Sequence, residues 1–133
     1  MRVVGCFLEF EGRFIILLRH SHKPDGNTWG LPSGKVEAGE NDKAAIVREL
    51  EEETGYKAAA SEMRHIGDYD FISSAGKTYT YATFKVQLKN SHQMQLENAA
   101  HADFQWVTAE ECYAKTDLIS GFHELLKLVG YIQ

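Results

Sequence analysis

The sequence predicts an α+β domain rather than a doubly wound α/β one, because its patterns run β, β, loop, α, β, β, β, α, α. Three observations carry this. Residues 2 to 9 and 13 to 19 are β-type runs flanking Phe10-Glu-Gly12, the mark of a hairpin. From Asn41 to Thr54 the apolar period becomes helical, and residues 77 to 88 alternate as a long strand does.

Each element has its own warrant. The second hairpin run holds the longest purely apolar stretch, Phe14 to Leu18, far short of a membrane span. Residues 20 to 40 are rich in turn formers (Pro24, Gly26, Gly30, Pro32, Gly34, Gly39), and Trp29 and Leu31 are expected to anchor this loop to the core. Ile46, Val47 and Leu50 form the helix's apolar stripe, and Gly55 sits where a C-terminal cap belongs. In the long strand Tyr79, Tyr81, Thr83 and Lys85 share one face, with Ala82, Phe84, Val86 and Leu88 on the other. Asp103 to Val107 is a further strand, Thr108-Ala-Glu-Glu111 a capping-box helix start, and a last helix is expected over about Leu118 to Leu128.

At 133 residues the chain fits a single domain, residues 1 to 133, that folds without staples. No signal-peptide pattern opens it, and Cys6 and Cys112 lack metal-type spacing. A cytoplasmic protein with reduced thiols and no membrane partner is the expectation. The net charge of −5 argues against double-stranded nucleic acid as a partner. Its location is more informative. Residues 37 to 53 hold seven acids and two bases, which accounts for the whole excess.

On a helix with about 100° per residue, Glu49, Glu52 and Glu53 fall within an arc of about 100°, while Glu51 points away. Three carboxylates so placed make an oxygen-rich patch of the kind that Mg²⁺ or Mn²⁺ prefers. A solvated acidic face is the plain alternative. Two details favour the cation: the patch borders the buried stripe through Glu53, and it follows a Gly-rich loop able to fold over it.

Gly34, five residues, Glu40, seven residues, then Arg48-Glu-Leu-Glu-Glu-Glu-Thr-Gly-Tyr56 resembles the Nudix box. Its seven fixed positions are all present, an agreement with a chance on the order of 10⁻⁸ at a given start. There are two departures. Tyr56 replaces an aliphatic, and Ser33 stands where Gly is frequent, which bears on the loop's torsions more than on its chemistry. The resemblance implies a mixed β-sheet sandwiched between helices. It implies Mg²⁺, or Mn²⁺, held by Glu49, Glu52 and Glu53 with backbone carbonyls of Ser33 or Gly34. It also gives Arg48 and Glu40 an orienting role around those ligands.

Many family members carry another carboxylate before the strand that ends in Trp. Six residues before Trp106 this chain has Ala100. Glu52 is therefore the first choice for the general base, with Glu97 second and His101 third. Arg19, His20, Tyr79 and Tyr81 are candidates for substrate contact. The resemblance implies a pyrophosphohydrolase that cleaves a nucleoside diphosphate linked to another moiety, with a nucleoside triphosphate, oxidised or not, as the first choice of small-molecule substrate. ADP-ribose, nucleotide-sugars and dinucleotides stay open. The rival from another class is a nucleotide-binding or regulatory module that has lost catalysis, against which the three intact carboxylates weigh. An isomerase of prenyl diphosphates would need a placed cysteine and acid, for which Cys6 and Cys112 offer no motif.

Overall fold

The structure is a computed structural model that describes residues 1–92, 94–95 and 100–133. Strand β1 (Arg2–Phe10) and strand β2 (Arg13–Arg19) form the expected hairpin. They pair only beside the turn, Glu9 with Phe14 and Phe10 with Arg13. Beyond that point the two strands splay and recruit different partners.

One edge of β1 takes β4 (Ser33–Lys35) antiparallel, with Ser33 opposite Gly5. Its other edge runs parallel to β6 (Thr78–Gln87), from Arg2 opposite Thr80 to Glu9 opposite Gln87. Strand β2 pairs antiparallel with β3 (Trp29–Gly30) and with β7 (His101–Val107). Strand β5 (Arg64–Ile72) closes the far edge against β6. The result is one mixed sheet in the order β3-β2-β1-β6-β5, with β4 also on β1 and β7 on the edge of β2 away from β1.

Alternation along the strands fills both faces. On one face Val4, Cys6, Leu8, Ala82, Phe84 and Val86 pack against Ala45, Ile46 and Leu50 of helix α1 (Asp42–Thr54). On the other, Phe7, Phe14, Ile16 and Phe71 meet Phe122, Leu125 and Leu126 of the C-terminal helix (Phe122–Leu128). The sheet is thus sandwiched between helices. Both cysteines are free and buried. Among the described residues no helix is long and apolar enough to cross a membrane.

Helix α1 occupies the predicted span because both ends are capped. The Asn41 side chain accepts from Ala44 N–H at 2.8 Å, and Gly55, at φ 77°, takes the left-handed C-cap conformation that glycine adopts without strain. Helix α2 (Ala109–Tyr113) opens with the expected box, Thr108 and Glu111 each receiving the other's backbone N–H.

Two features differ from expectation. The loop of residues 20 to 40 contains β3 and β4, because burying Trp29 and Leu31 brings its backbone to the open strand edges. The last helix, α3, begins at Phe122 rather than Leu118. Trp29 N–H donates to Asp117 O and Ile119 N–H to Trp29 O, so this stretch is spent on sheet-like pairing. Gly121, at φ 90°, then turns the chain into α3.

Replacing Asn41 by Ala should cost about 1 kcal/mol in urea unfolding. Asn41→Ser, which restores an acceptor, should recover most of it. Equal losses for both would show that the cap bond contributes nothing.

Candidate active site

Helix α1 carries its acids on two different surfaces. The side chains of Glu49 and Glu53 are 10% and 7% exposed, whereas that of Glu52 is 50% exposed and Glu51 lies in solvent. Burying a carboxylate is costly unless its oxygens are satisfied. Each buried one has been given a donor.

For Glu49 the donor is Arg48, whose Nη1 lies 2.8 Å from Glu49 Oε1. The same guanidinium forks onto Glu40, with Nε to Oε2 at 2.7 Å and Nη2 to Oε1 at 2.9 Å. It also donates to the Lys35 carbonyl at 3.2 Å and reaches Glu52 Oε2 at 3.3 Å. Glu40 in turn accepts the Glu37 N–H. These bonds to Arg48 and Glu37 hold the Glu40 carboxyl down at about 2. Arg48 thereby ties the box loop to the acidic helix.

For Glu53 the donor is the Ser33 backbone N–H, 2.8 Å from Oε1. Ser33 thus meets the acidic face through its N–H. One hydrogen bond does not offset nearly complete burial, and the Glu53 carboxyl is pushed up to about 8. Glu49 is raised too, again chiefly by burial and in spite of Arg48. Crowding among the acids adds to both shifts but ranks below burial.

Gly34 is needed for the close approach of strand and helix. A Cβ there would fall 2.1 Å from Glu49 Oε1. On the other side of Glu53 stands His101, its Nδ1 3.9 Å from Glu53 Oε2 and buried without a hydrogen-bond partner among the described residues. Burial, helped by the nearby charges of Arg19 and His20, lowers the His101 pKa to about 4.

Glu53, Ser33 and His101 border a cavity of about 290 Å³. Its walls are largely apolar, from Leu17, Leu31, Phe71, Ile119, Phe122 and Leu125. Arg19, Tyr79 and Tyr81 also line it. Arg19 is steadied by its Nε bond to the Pro24 carbonyl at 2.8 Å. The ring of Tyr81 lies where a Gly5 side chain would be. His20 is not among the lining residues, and its ring lies 5.2 Å from that of His22. Glu97 falls outside the described residues. The cavity-lining Leu31, Phe71, Ile119, Phe122 and Leu125 were missed as site residues, since nothing distinguishes them in sequence from ordinary core. The small Gly5 opposite a tyrosine strand was the one faint signal.

The family model of the NUDIX domain matches residues 1–128. The chain belongs to the Nudix family.

A relative in Mycobacterium tuberculosis H37Rv, "Putative 8-oxo-dGTP diphosphatase 2", is 38% identical over 106 residues, covering 77% of this chain and 70% of that protein. The CTP pyrophosphohydrolase of Escherichia coli K12 is 34% identical over 62 residues, 47% of this chain and 46% of that protein. With it, two further curated relatives are matched over less than half their length, at 38% and 13%. Among solved structures, a MutT protein from Methanosarcina mazei Go1 superposes with a TM-score of 0.85. It is 23% identical, covering 97% of this chain and 91% of that one, and shares the fold.

Nudix hydrolases in general depend on divalent metal. The residues of this Nudix domain fit such an ion. The donors are hard carboxylate oxygens, two of them buried and only partly satisfied. Among the described residues no three acidic, histidine or cysteine side chains already enclose one point.

The Glu53 shift has a definite sign. Its pKa is higher in the folded than in the unfolded chain, so its contribution is complete below about 4.5 and lost as pH rises through about 8. Metal-free protein should therefore lose roughly 2–4 kcal/mol of unfolding free energy between pH 5 and 8.5. Glu53→Gln should flatten most of that slope. A slope unchanged by the substitution would show that Glu53 titrates normally.

Proposed function

We propose that this chain, acting as one Nudix domain, is a divalent-cation-dependent pyrophosphohydrolase of nucleoside triphosphates, oxidised or not. One observation carries the reading: a buried carboxylate, Glu53, forms part of the wall of an apolar, tyrosine-lined cavity. The cavity suits a flat base, and the acidic face beside it suits a cation carrying phosphates. Its volume of about 290 Å³ lies at the small end for ligand sites, which favours a compact substrate. The name of the M. tuberculosis relative supports a triphosphate. A related structure from Shewanella oneidensis, titled as a complex with ADP ribose, keeps that class as the alternative.

Glu49, Glu52 and Glu53 would hold Mg²⁺ or Mn²⁺, with the Ser33 and Gly34 carbonyls as backbone donors. A divalent cation bound there neutralises phosphoryl oxygens and lowers the pKa of water. Arg48 holds Glu49 and Glu52 in place through the bonds described. Tyr79 and Tyr81 would pack against the base, and Arg19 would meet an anionic or carbonyl oxygen of the substrate.

Glu52 is assigned as the general base that takes the proton from the attacking water as the P–O–P bridge breaks. Its half-exposed carboxylate is reachable from solvent and only loosely tied to Arg48. His101 is a weaker choice, since a pKa of about 4 ill suits proton uptake at neutral pH.

The test is a panel of triphosphates, ADP-ribose, nucleotide-sugars and dinucleotides, scored for phosphate or pyrophosphate release with and without Mg²⁺. Turnover should require the metal and be highest for triphosphates. Glu53→Gln should lower the rate at least ~10²-fold, while Glu51→Gln stays near wild type. Equal losses would refute the assignment of the helix face. Glu52→Gln should also collapse at saturating Mg²⁺ and recover partly at high pH, where hydroxide replaces the base. Metal binding without turnover of any substrate would leave a nucleotide-binding module.

A further inference from the structure

The geometry points to His101 Nδ1 as a nitrogen ligand, beside Glu53, for the divalent cation of this site. The inference rests on the metal-dependent reading above and deepens it.

His101 is 5% exposed at its side chain, and its Nδ1 has no hydrogen-bond partner among the described residues. A buried polar atom left alone is costly, and native structures seldom keep one without a purpose. Its near neighbour is Glu53 Oε2 at 3.9 Å, also buried. That distance is too long for a direct hydrogen bond. A ring N–H there would fall short of the carboxylate, and a ring lone pair would face it. Once Glu53 is ionised, the second arrangement is favourable with a cation between the two atoms.

A second, independent observation is the backbone that delivers the ring. Strand β7 pairs Asp103 with Leu18 and then His101 with Arg19, so Ala102 is skipped. This irregularity falls at the cavity. Residues 102 to 105 face solvent, whereas His101 turns inward. Bulges of this kind re-aim single side chains beside active sites. A residue with no function there would not need the ladder to break.

Ser33 N–H already occupies Glu53 Oε1, leaving Oε2 directed toward His101. An imidazole added to carboxylates shifts a site from purely hard character toward Mn²⁺ and Co²⁺. The ligand set would then be Glu53, His101 and water, together with the other carboxylates assigned above.

The experiment uses the full chain without nucleotide, so that protein is the only nitrogen source. Mn²⁺ is added to wild type, His101→Ala, His101→Asn and Glu53→Gln, and pulsed EPR reads any ¹⁴N bonded directly to the ion. Calorimetry measures Mn²⁺ and Mg²⁺ affinity in parallel. Wild type should show directly bonded nitrogen. Both His101 variants should lose it, with Mn²⁺ affinity falling at least ~10-fold and Mg²⁺ affinity by less than ~3-fold. The Asn variant keeps polarity and much of the volume, so it reports even if the Ala variant fails to fold. Bound Mn²⁺ without nitrogen coupling in wild type, or coupling that survives in the His101 variants, overturns the assignment of His101. In that case the carboxylate site stands if Glu53→Gln weakens Mn²⁺. Absence of Mn²⁺ binding to wild type would overturn both readings together.

Discussion

The structure is organised around the burial of one carboxylate. Glu53 sits on the last turn of α1, 6% exposed, with the Ser33 N–H on one oxygen and the His101 imidazole 3.9 Å from the other. An ionised carboxylate in such surroundings is unfavourable by itself. The surrounding groups follow from that. Gly34 leaves room for the loop to approach, Arg48 neutralises neighbouring Glu49 and Glu40, and Glu53 keeps its proton up to about pH 8. Once that proton leaves, a negative charge stands unpaired at one point, and a cation is the simplest group to match it.

The splayed hairpin is what makes this burial possible. Had β1 and β2 paired along their whole length, the edges they turn to each other would be closed. Because they part after Glu9 and Phe14, β1 accepts β4 and β2 accepts β3, while β7 lies along the other edge of β2. Ser33 arrives on β4 and His101 on β7, so Glu53 has one neighbour from each. Leu17 and Arg19 of β2 and the tyrosines of β6 line a common cavity beside it. The parting of the hairpin supplies the Ser33 half of the site, and the bulged β7 supplies the His101 half.

Much of this was legible in the sequence, for identifiable reasons. Helix α1 was readable from its stripe, cap and glycine, because a 3.6-residue period and an N-cap are local properties. The box motif placed Glu49, Glu53, Arg48 and Glu40 together, and their bonds are in the structure. What escaped was non-local. Strands β3 and β4 exist only because the edges of β1 and β2 are open. The helix at Leu118 was overruled by pairing with Trp29, a contact between residues far apart in the chain. His101 ranked third as a base because no sequence pattern announces a break in a ladder. The contrast between Glu52 and Glu53 was equally hidden. Adjacent residues of one helical arc differ sevenfold in side-chain exposure, 50% against 7%, because β4 covers only one of them.

The charge distribution also sets an order on binding. A nucleotide polyphosphate is strongly anionic, and the stretch from Glu37 to Glu53 carries the chain's entire excess of negative charge. Placed beside the cavity without a cation, phosphates would meet repulsion over a few ångströms, where screening by salt is weak. The apolar cavity alone would have to overcome that, and its small volume limits what it can contribute. Cation and nucleotide must then favour each other's binding, and by linkage each raises the affinity of the other by the same factor. The acidic face does more than hold an ion on this account. On the proposed function it would reject free polyanions and admit those that arrive with, or complete, a cation's coordination. Selectivity for metal-bearing phosphates over other anions follows from the same buried carboxylates that make the metal-free fold costly above neutral pH.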